Sequence, residues 1–204
     1  MKVFRMYPSS INARYIDEIA DAMRRGAVVI YPTDSLYAVG CDALSNRAVE
    51  HVCRIKGINP AKQRLSMVCD SISQASEYAR LDNKAFAILR ANLPGPFTFV
   101  LPATTRLAKA FKGRHEVGVR VPDNPIARAL AEALGNPILS SSVGWEDADE
   151  NQLISPDELR LHYENEADIL IDAGEGSATP TAIISLLDPT APEILRPAPF
   201  LPEL

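Results

Sequence analysis

The chain has 204 residues, of which 47% are apolar, and its 21 Lys and Arg against 26 Asp and Glu give a formal net charge of -5 at pH 7. This length and composition predict a globular protein with one sizeable core, in a single domain over residues 1–204. Apolar runs stay below the roughly 18 residues that a membrane span requires, which argues against a membrane protein. The acidic balance argues against nucleic-acid binding driven by overall charge, although it leaves open a locally basic groove.

Helices and strands alternate along the chain. Residues 13–25 place apolar side chains at helical spacing, Gly26 ends that helix, and Ala27–Tyr31 is typical of a buried strand. Further helices are predicted at residues 46–56, 73–78, 84–92, 125–134 and 156–164. Further strands are predicted at residues 65–69, 97–102, 117–121, 138–141, 169–171 and 181–186. The alternation predicts an α/β fold with a mostly parallel or mixed sheet, followed by an irregular Pro-rich tail at Arg196–Leu204.

The cysteines and histidines offer little for metal chemistry. Cys41, Cys53 and Cys69 sit in apolar segments at spacings that fit no metal pattern, so reduced thiols are predicted. Only three histidines occur, at positions 51, 115 and 162, so neither a His-based metal site nor a His-driven triad is supported. The N-terminus has no signal-peptide pattern, and a cytoplasmic location is expected.

The most informative segment is the polar turn that follows the strand Ala27–Tyr31. There Pro32, Thr33, Asp34 and Ser35 interrupt an apolar run that resumes at residue 36. Polar side chains at the point where a strand leaves the core can face a ligand, because Pro32 presets its own φ angle. A purely structural turn would use the same residues, so this segment alone leaves both interpretations open.

More polar clusters stand at the ends of predicted strands and helices, where open α/β sheets collect their ligands. They contain hydroxyls and cations but few general bases, which suits the binding of phosphates and carboxylates. Arg120 lies inside the apolar run 117–121, although an Arg on a solvent face would give the same pattern. Lys56 could instead favour a helix C-terminus, and Arg196 could be an ordinary surface charge.

Taken in order, these motifs resemble the Sua5/YrdC/YciO family of threonylcarbamoyl-AMP synthase-like proteins, from about residue 10 to residue 198. The resemblance implies a single twisted, open, mixed sheet with a concave basic groove. It also implies a nucleotidyltransferase that takes L-threonine, bicarbonate and ATP, with Mg²⁺ on the triphosphate, and makes threonylcarbamoyl-AMP and pyrophosphate. That product supplies the threonylcarbamoyl group of the modified adenosine at tRNA position 37.

The resemblance also assigns roles to individual residues. Lys56 would meet the nucleotide phosphates, and Arg120 would contact the acyl-phosphate region or the substrate carboxylate, so these two are the predicted catalytic residues. Thr33 would help to hold the threonine substrate. The other predicted substrate-binding or nucleotide-binding residues are Thr98, Ser140, Ser142, Thr181 and Arg196, and no protein residue is predicted to ligate a metal.

The sequence departs from the synthase pattern at three places. The Lys-x-Arg motif has Ile58 in place of its arginine, the Ser-x-Asn motif has Gly144 in place of its asparagine, and residues 65–69 lack an expected histidine. The loss of a cation and an amide should weaken ATP binding, at roughly 1.5–3 kcal/mol for each charged hydrogen bond, unless Lys62 or Arg64 compensates. An acidic segment at residues 146–150, expected to be a solvated loop, would also disfavour polyphosphate. These departures are typical of the YciO-type branch.

Two classes of function therefore stay open. The first is an enzyme, either a threonylcarbamoyl-AMP synthase or a relative that acts hydrolytically on threonylcarbamoyl-adenosine. The second is a module whose groove binds a nucleotide or an RNA, such as tRNA or double-stranded RNA, without forming an acyl-adenylate.

Overall fold

The computed structural model describes residues 1–59, 66–104, 115–144 and 154–204. The helices are α1 Ala13–Arg24, α2 Asn46–Ile55, α3 Ile72–Tyr78, α4 Asn83–Asn92, α5 Pro125–Leu134 and α6 Pro156–Tyr163. The strands are β1 Lys2–Arg5, β2 Val29–Tyr31, β3 Ala38–Asp42, β4 Ser66–Val68, β5 Phe97–Pro102, β6 Glu116–Arg120, β7 Ile138–Ser142, β8 Ile169–Asp172, β9 Ala182–Ser185 and β10 Glu193–Arg196.

All ten strands belong to one open sheet in the order β1-β8-β2-β3-β7-β4-β6-β5-β9-β10. The pairs β1/β8, β2/β8, β4/β6 and β5/β9 are parallel. The other neighbours are antiparallel. The predicted fold class, an α/β protein with a mixed sheet, is confirmed.

Local signals explain where the helices begin. Asn12 caps α1, with its side chain accepting from the backbone N–H groups of Arg14 and Tyr15. Asn124 caps α5 in the same way, and Pro125 follows it at the first helical position, where a missing N–H costs nothing. Ser155 and Glu158 form a reciprocal capping box at the start of α6.

The helices cover the two faces of the sheet unequally. α1 and α5 pack against each other and bury one apolar cluster with residues of β1, β8, β2, β3, β7 and β4. α2, α3, α4 and α6 contribute to a second cluster on the opposite face, which also takes residues of β6, β5 and β9. Those last three strands give no residue to the α1/α5 cluster. Their side chains on that face are therefore left to form the wall of a cavity.

Three strands are absent from the sequence prediction: the edge strands β1 and β10, and the interior strand β3, which the sequence shows only as an apolar run that resumes at residue 36. β1 was not expected at all, and β10 includes Arg196, which the sequence places in an irregular tail. Both are four-residue edge strands with mostly exposed side chains, so neither shows the apolar run of a buried strand. The predicted acidic loop at 146–150, together with Lys62, Arg64 and Leu65, lies outside the described residues.

Candidate functional site

A cavity of about 160 Å³ opens on the α1/α5 face, over the strands that those helices leave uncovered. Pleating turns Thr98, Arg120 and Ile183 towards this face, because their neighbours Phe99, Val119 and Ile184 are buried in the opposite core. Six of the eight predicted site residues line the cavity: Thr98, Arg120, Ser140, Ser142, Thr181 and Arg196. The fold thus gathers in one place residues that are as far apart in sequence as Thr98 and Arg196.

The turn after β2 holds Arg120 from one side. Nη2 of Arg120 donates to Thr33 Oγ1 at 3.1 Å and to Ser35 Oγ at 2.9 Å, and it forms an ion pair with the carboxylate of Asp34. The other oxygen of Asp34 accepts the backbone N–H of Asp123 at 2.9 Å. Arg120 is 7% exposed, so this arrangement compensates a buried charge.

These contacts and two others occupy every hydrogen-bonding position of the Thr33 hydroxyl. That hydroxyl donates to the carbonyl of Leu36 at 2.7 Å and accepts from the backbone N–H of Ser35 at 3.0 Å as well as from Arg120. A hydroxyl offers one donor and two acceptor positions, and all three are in use. Thr33 does not line the cavity with the other residues; it positions Arg120.

The buried Nε donor of Arg120 is not used by these contacts. It has no hydrogen-bond partner among the described residues. An unsatisfied buried N–H costs about 1–3 kcal/mol. Because the guanidinium is planar and its Nη2 is fixed by the turn, the position of this donor is fixed too.

Arg196 also lines the cavity and is held by a different kind of partner. Its Nε and Nη2 donate to the carbonyl of Thr181 at 3.0 and 2.8 Å, and Nη2 also reaches Thr181 Oγ1 at 3.0 Å. Thr181 Oγ1 lies 3.4 Å from Thr98 Oγ1, which links β9 to β5. Desolvation by its surroundings, with a contribution from the nearby charge of Arg120, lowers the pKa of Arg196. Within the described ranges no carboxylate pairs with it, so Arg196 brings uncompensated positive charge to the cavity.

The serines of β7 form the third wall. Ser140 and Ser142 line the cavity, and Ser140 Oγ accepts a hydrogen bond of 2.7 Å from the hydroxyl of Tyr31. The sequence analysis points to Asp34 and Ser35 as polar residues of the turn but gives neither a site role, and it gives none to Tyr31. All three are nevertheless in or beside the Pro-Thr-Asp-Ser turn, and their contacts with residues more than eighty positions away gave no sequence signal.

Lys56 stands beside the cavity rather than in its wall. Its Nζ donates to the carbonyl of Gly144 at 2.8 Å, and burial lowers the pKa of this ammonium group. Ile58, two positions later, does line the cavity. An apolar side chain therefore faces the site where the synthase motif carries an arginine.

Cations and hydroxyls dominate the polar chemistry of the site. No Asp or Glu is among the described residues that line it. In the same part of the chain, no three His, Cys, Asp or Glu side chains lie close enough together to hold a metal ion. The helices that the structure describes are too short or too polar to cross a bilayer. The arrangement is suited to an anionic ligand with several acceptor oxygens.

Comparison with known proteins finds relatives along most of the chain. The model of the Sua5/YciO/YrdC family, which carries the description "Telomere recombination", matches residues 21–198. The uncharacterized protein YciO of Escherichia coli K12 is 36% identical over 195 residues, covering 95% of this chain and 93% of that protein. A threonylcarbamoyl-AMP synthase of Chromohalobacter salexigens is 33% identical over 174 residues, covering 83% of this chain and 93% of that protein.

Solved structures show the same architecture. The crystal structure of E. coli YciO matches with a TM-score of 0.88 at 35% identity, covering 98% of this chain and 97% of that one. The crystal structure of P. abyssi Sua5 complexed with L-threonine matches with a TM-score of 0.79 at 26% identity, covering 97% of this chain and 57% of that one. The open mixed sheet is thus common to all three proteins.

Proposed function

Because the chain belongs to the Sua5/YciO/YrdC family, we propose that it is a cytoplasmic enzyme of the threonylcarbamoyl-AMP synthase type. In this proposal the cavity takes ATP, or the adenylate made from it, together with L-threonine and bicarbonate. The observation that carries the proposal is the pair of arginines, Arg120 and Arg196, facing one cavity with hydroxyls between them and no lining carboxylate among the described residues. The L-threonine bound to P. abyssi Sua5 supports the choice of amino acid.

The proposed chemistry is electrostatic. Attack on a phosphoryl centre develops negative charge, which preorganised N–H donors and cations stabilise without reorganising. The guanidinium groups of Arg120 and Arg196, which both line the cavity, would meet that charge. The hydroxyls of Thr98, Thr181, Ser140 and Ser142 would bind further oxygens of the ligand.

Mg²⁺ enters this proposal with the nucleotide. The described residues offer no carboxylate cluster that could hold the ion by themselves. Mg²⁺ prefers to keep several waters and to bind substrate phosphates, so a complex of Mg²⁺ with ATP fits these residues as a substrate. The protein's own cations would then bind the phosphate oxygens that the metal leaves exposed.

A direct assay tests the proposal. The protein is incubated with ATP, bicarbonate and L-threonine, and pyrophosphate and the acyl-adenylate are measured, with omission of threonine as the control. Pyrophosphate that appears only when threonine is present supports a synthase. Absence of both products, from a protein that is folded and binds nucleotide, contradicts it.

Ile58 favours a second candidate function. Its apolar side chain lines the cavity in the position of the synthase arginine, which should weaken the hold on a triphosphate. A relative without synthase activity, acting hydrolytically on threonylcarbamoyl-adenosine, needs no triphosphate site. Release of free threonine from the threonylcarbamoyl-adenosine nucleoside or from tRNA that carries it would support this alternative. Binding of tRNA or double-stranded RNA without turnover would indicate an RNA-binding module instead.

A further inference from the structure

Tyr31 links the core beneath α1 and α5 to the wall of the cavity. It is the last residue of β2, is fully buried, and belongs to the apolar cluster of those two helices. Its ring crosses the neighbouring strand β3 at Gly40, and its hydroxyl reaches Ser140 on the strand after that. The hydroxyl of a tyrosine in the apolar core thus contacts Ser140, which lines the candidate site.

Gly40 makes this path possible. A Cβ atom added at Gly40 would lie 2.8 Å from Cε1 of Tyr31 and 2.7 Å from the carbonyl oxygen of Leu139. Real Cβ atoms do not approach other atoms so closely, so a side chain here would displace the ring. Gly40 also pairs with Ser140 in the sheet register, which places the ring directly beside its hydrogen-bond partner. The geometry of the Tyr31 hydroxyl is therefore fixed by the sheet itself.

The bond between the two hydroxyls has a direction. The phenol of Tyr31 donates and Ser140 Oγ accepts, at 2.7 Å. Burial raises the pKa of the Tyr31 phenol, so it stays protonated and keeps donating throughout the neutral range. The described residues offer no acceptor to the hydrogen of Ser140 itself. With its oxygen engaged by Tyr31, Ser140 has its O–H left to donate into the cavity, and a chain of two hydroxyls polarises that donor.

We propose that Tyr31 is a positioning residue for ligand binding: it fixes Ser140 as a hydrogen-bond donor to a phosphoryl or carboxylate oxygen in the cavity. The inference rests on the proposed function, because it takes the ligand to be the anionic one that the arginines indicate. It goes further in assigning a direction to the Ser140 contact and in making a fully buried residue, outside the cavity wall, a determinant of affinity.

Calorimetric titration with AMP and with ATP tests the proposal on four proteins: the parent, Tyr31→Phe, Ser140→Ala and the double variant. Tyr31→Phe removes one hydroxyl and keeps the ring, and we expect it to weaken nucleotide affinity roughly three- to tenfold. Ser140→Ala should weaken it at least as much. The double variant should bind no more weakly than Ser140→Ala, because Tyr31 acts only through Ser140.

Tyr37→Phe is the matched control. Its hydroxyl is also bonded, donating to the carbonyl of Gly174 at 2.8 Å and accepting from Ala173 N–H at 3.0 Å, but it lies outside the cavity wall. This control should lose stability without losing affinity. A spectroscopic measurement adds a second readout: in protein labelled at tyrosine ¹³Cζ, the Tyr31 signal should move when nucleotide binds the parent, and not in Ser140→Ala.

The outcomes separate the two claims. If the parent binds nucleotide and Tyr31→Phe binds it equally well, Tyr31 is only a packing residue and this inference is wrong while the proposed function stands. Additive losses in the double variant would equally contradict it. If the folded parent binds neither nucleotide, the proposed function fails and the inference falls with it.

Discussion

Arg120 and Arg196 line the same cavity, yet the protein holds them by different means. Arg120 is 7% exposed and is paired with the Asp34 carboxylate inside a turn that also supplies two hydroxyls. Arg196 is exposed, and its guanidinium rests on a backbone carbonyl and one hydroxyl. The Asp34 carboxylate thus neutralises the charge of Arg120, whereas the charge of Arg196 stays available to an anionic ligand.

This difference predicts different roles for Arg120 and Arg196. A buried cation needs a buried partner, and the pair then fixes geometry more than it supplies net charge. Arg196 is exposed and has no carboxylate partner in the described part of the chain, so it keeps its charge for the ligand, and the desolvation that its surroundings impose agrees with its lowered pKa. We therefore expect Arg120 to matter for both stability and orientation, and Arg196 mainly for affinity.

The largest effect should come from breaking the buried pair. Asp34→Ala leaves the Arg120 guanidinium buried without its counter-charge and also removes the acceptor for Asp123 N–H. Removing one partner of a buried ion pair costs about 3–5 kcal/mol, so we expect the free energy of unfolding to fall by that amount. Urea unfolding followed by circular dichroism measures it.

A double variant distinguishes the charge from the loss of packing. In Asp34→Ala/Arg120→Met both charges are gone, and most of the lost stability should return. Nucleotide affinity should not return, because the guanidinium is missing. A double variant no more stable than Asp34→Ala would show that the pair is not the reason for the destabilisation.

Arg196 should give the opposite result. Arg196→Gln removes the uncompensated charge but strands no buried carboxylate, so the unfolding free energy should change by less than about 1 kcal/mol. Affinity for ATP should fall about ten- to a hundredfold, at roughly 1.5–3 kcal/mol for a hydrogen bond to a charged group. Arg160→Gln, an exposed arginine on the other side of the sheet, is the control for general charge effects. Equal affinity in the parent and Arg196→Gln would remove the distinction between the two arginines.

The sequence predicts the helices and every interior strand except β3, because their signals are local. Helical spacing, capping residues and apolar runs all lie within the elements that they define, and the predicted bounds of β5 and α5 match the structure. The edge strands β1 and β10 escape prediction because one-sided, exposed pairing requires no apolar run. The alternation of helices and strands is a local signal, so the mixed sheet could be expected. The strand order depends on pairing between distant segments, so it could not be predicted.

The sequence predicts which residues form the site, but not the hydrogen bonds and ion pairs that connect them. Motif resemblance brings together Arg120, Ser140 and Arg196, and the cavity contains all three. The clamp of Asp34 and Ser35 on Arg120 joins residues more than eighty positions apart, as does the Tyr31–Ser140 bond, so no local pattern could reveal either. For Arg120→Ala the structure predicts a loss of ligand binding together with a loss of stability, because the Asp34 carboxylate would be left without its counter-charge.

The smallest expected effect comes from adding a second uncompensated cation to the cavity that Arg196 lines. Ile58 lines the cavity where the synthase motif has its arginine, so Ile58→Arg should place a bidentate phosphate donor there and raise ATP affinity about three- to tenfold. Ile58→Met, which keeps an apolar side chain, is the matched control and should bind ATP as the parent does.

The missing asparagine is better left out of the variant. Gly144 has φ +143, a conformation that strains residues with a side chain, so Gly144→Asn would confuse a binding gain with a folding cost. Calorimetry on the parent and both Ile58 variants gives the comparison. If Ile58→Arg is folded and gains nothing, the ATP-binding end of the cavity differs from that of the synthases by more than this residue, and the hydrolytic alternative becomes the better account of the site.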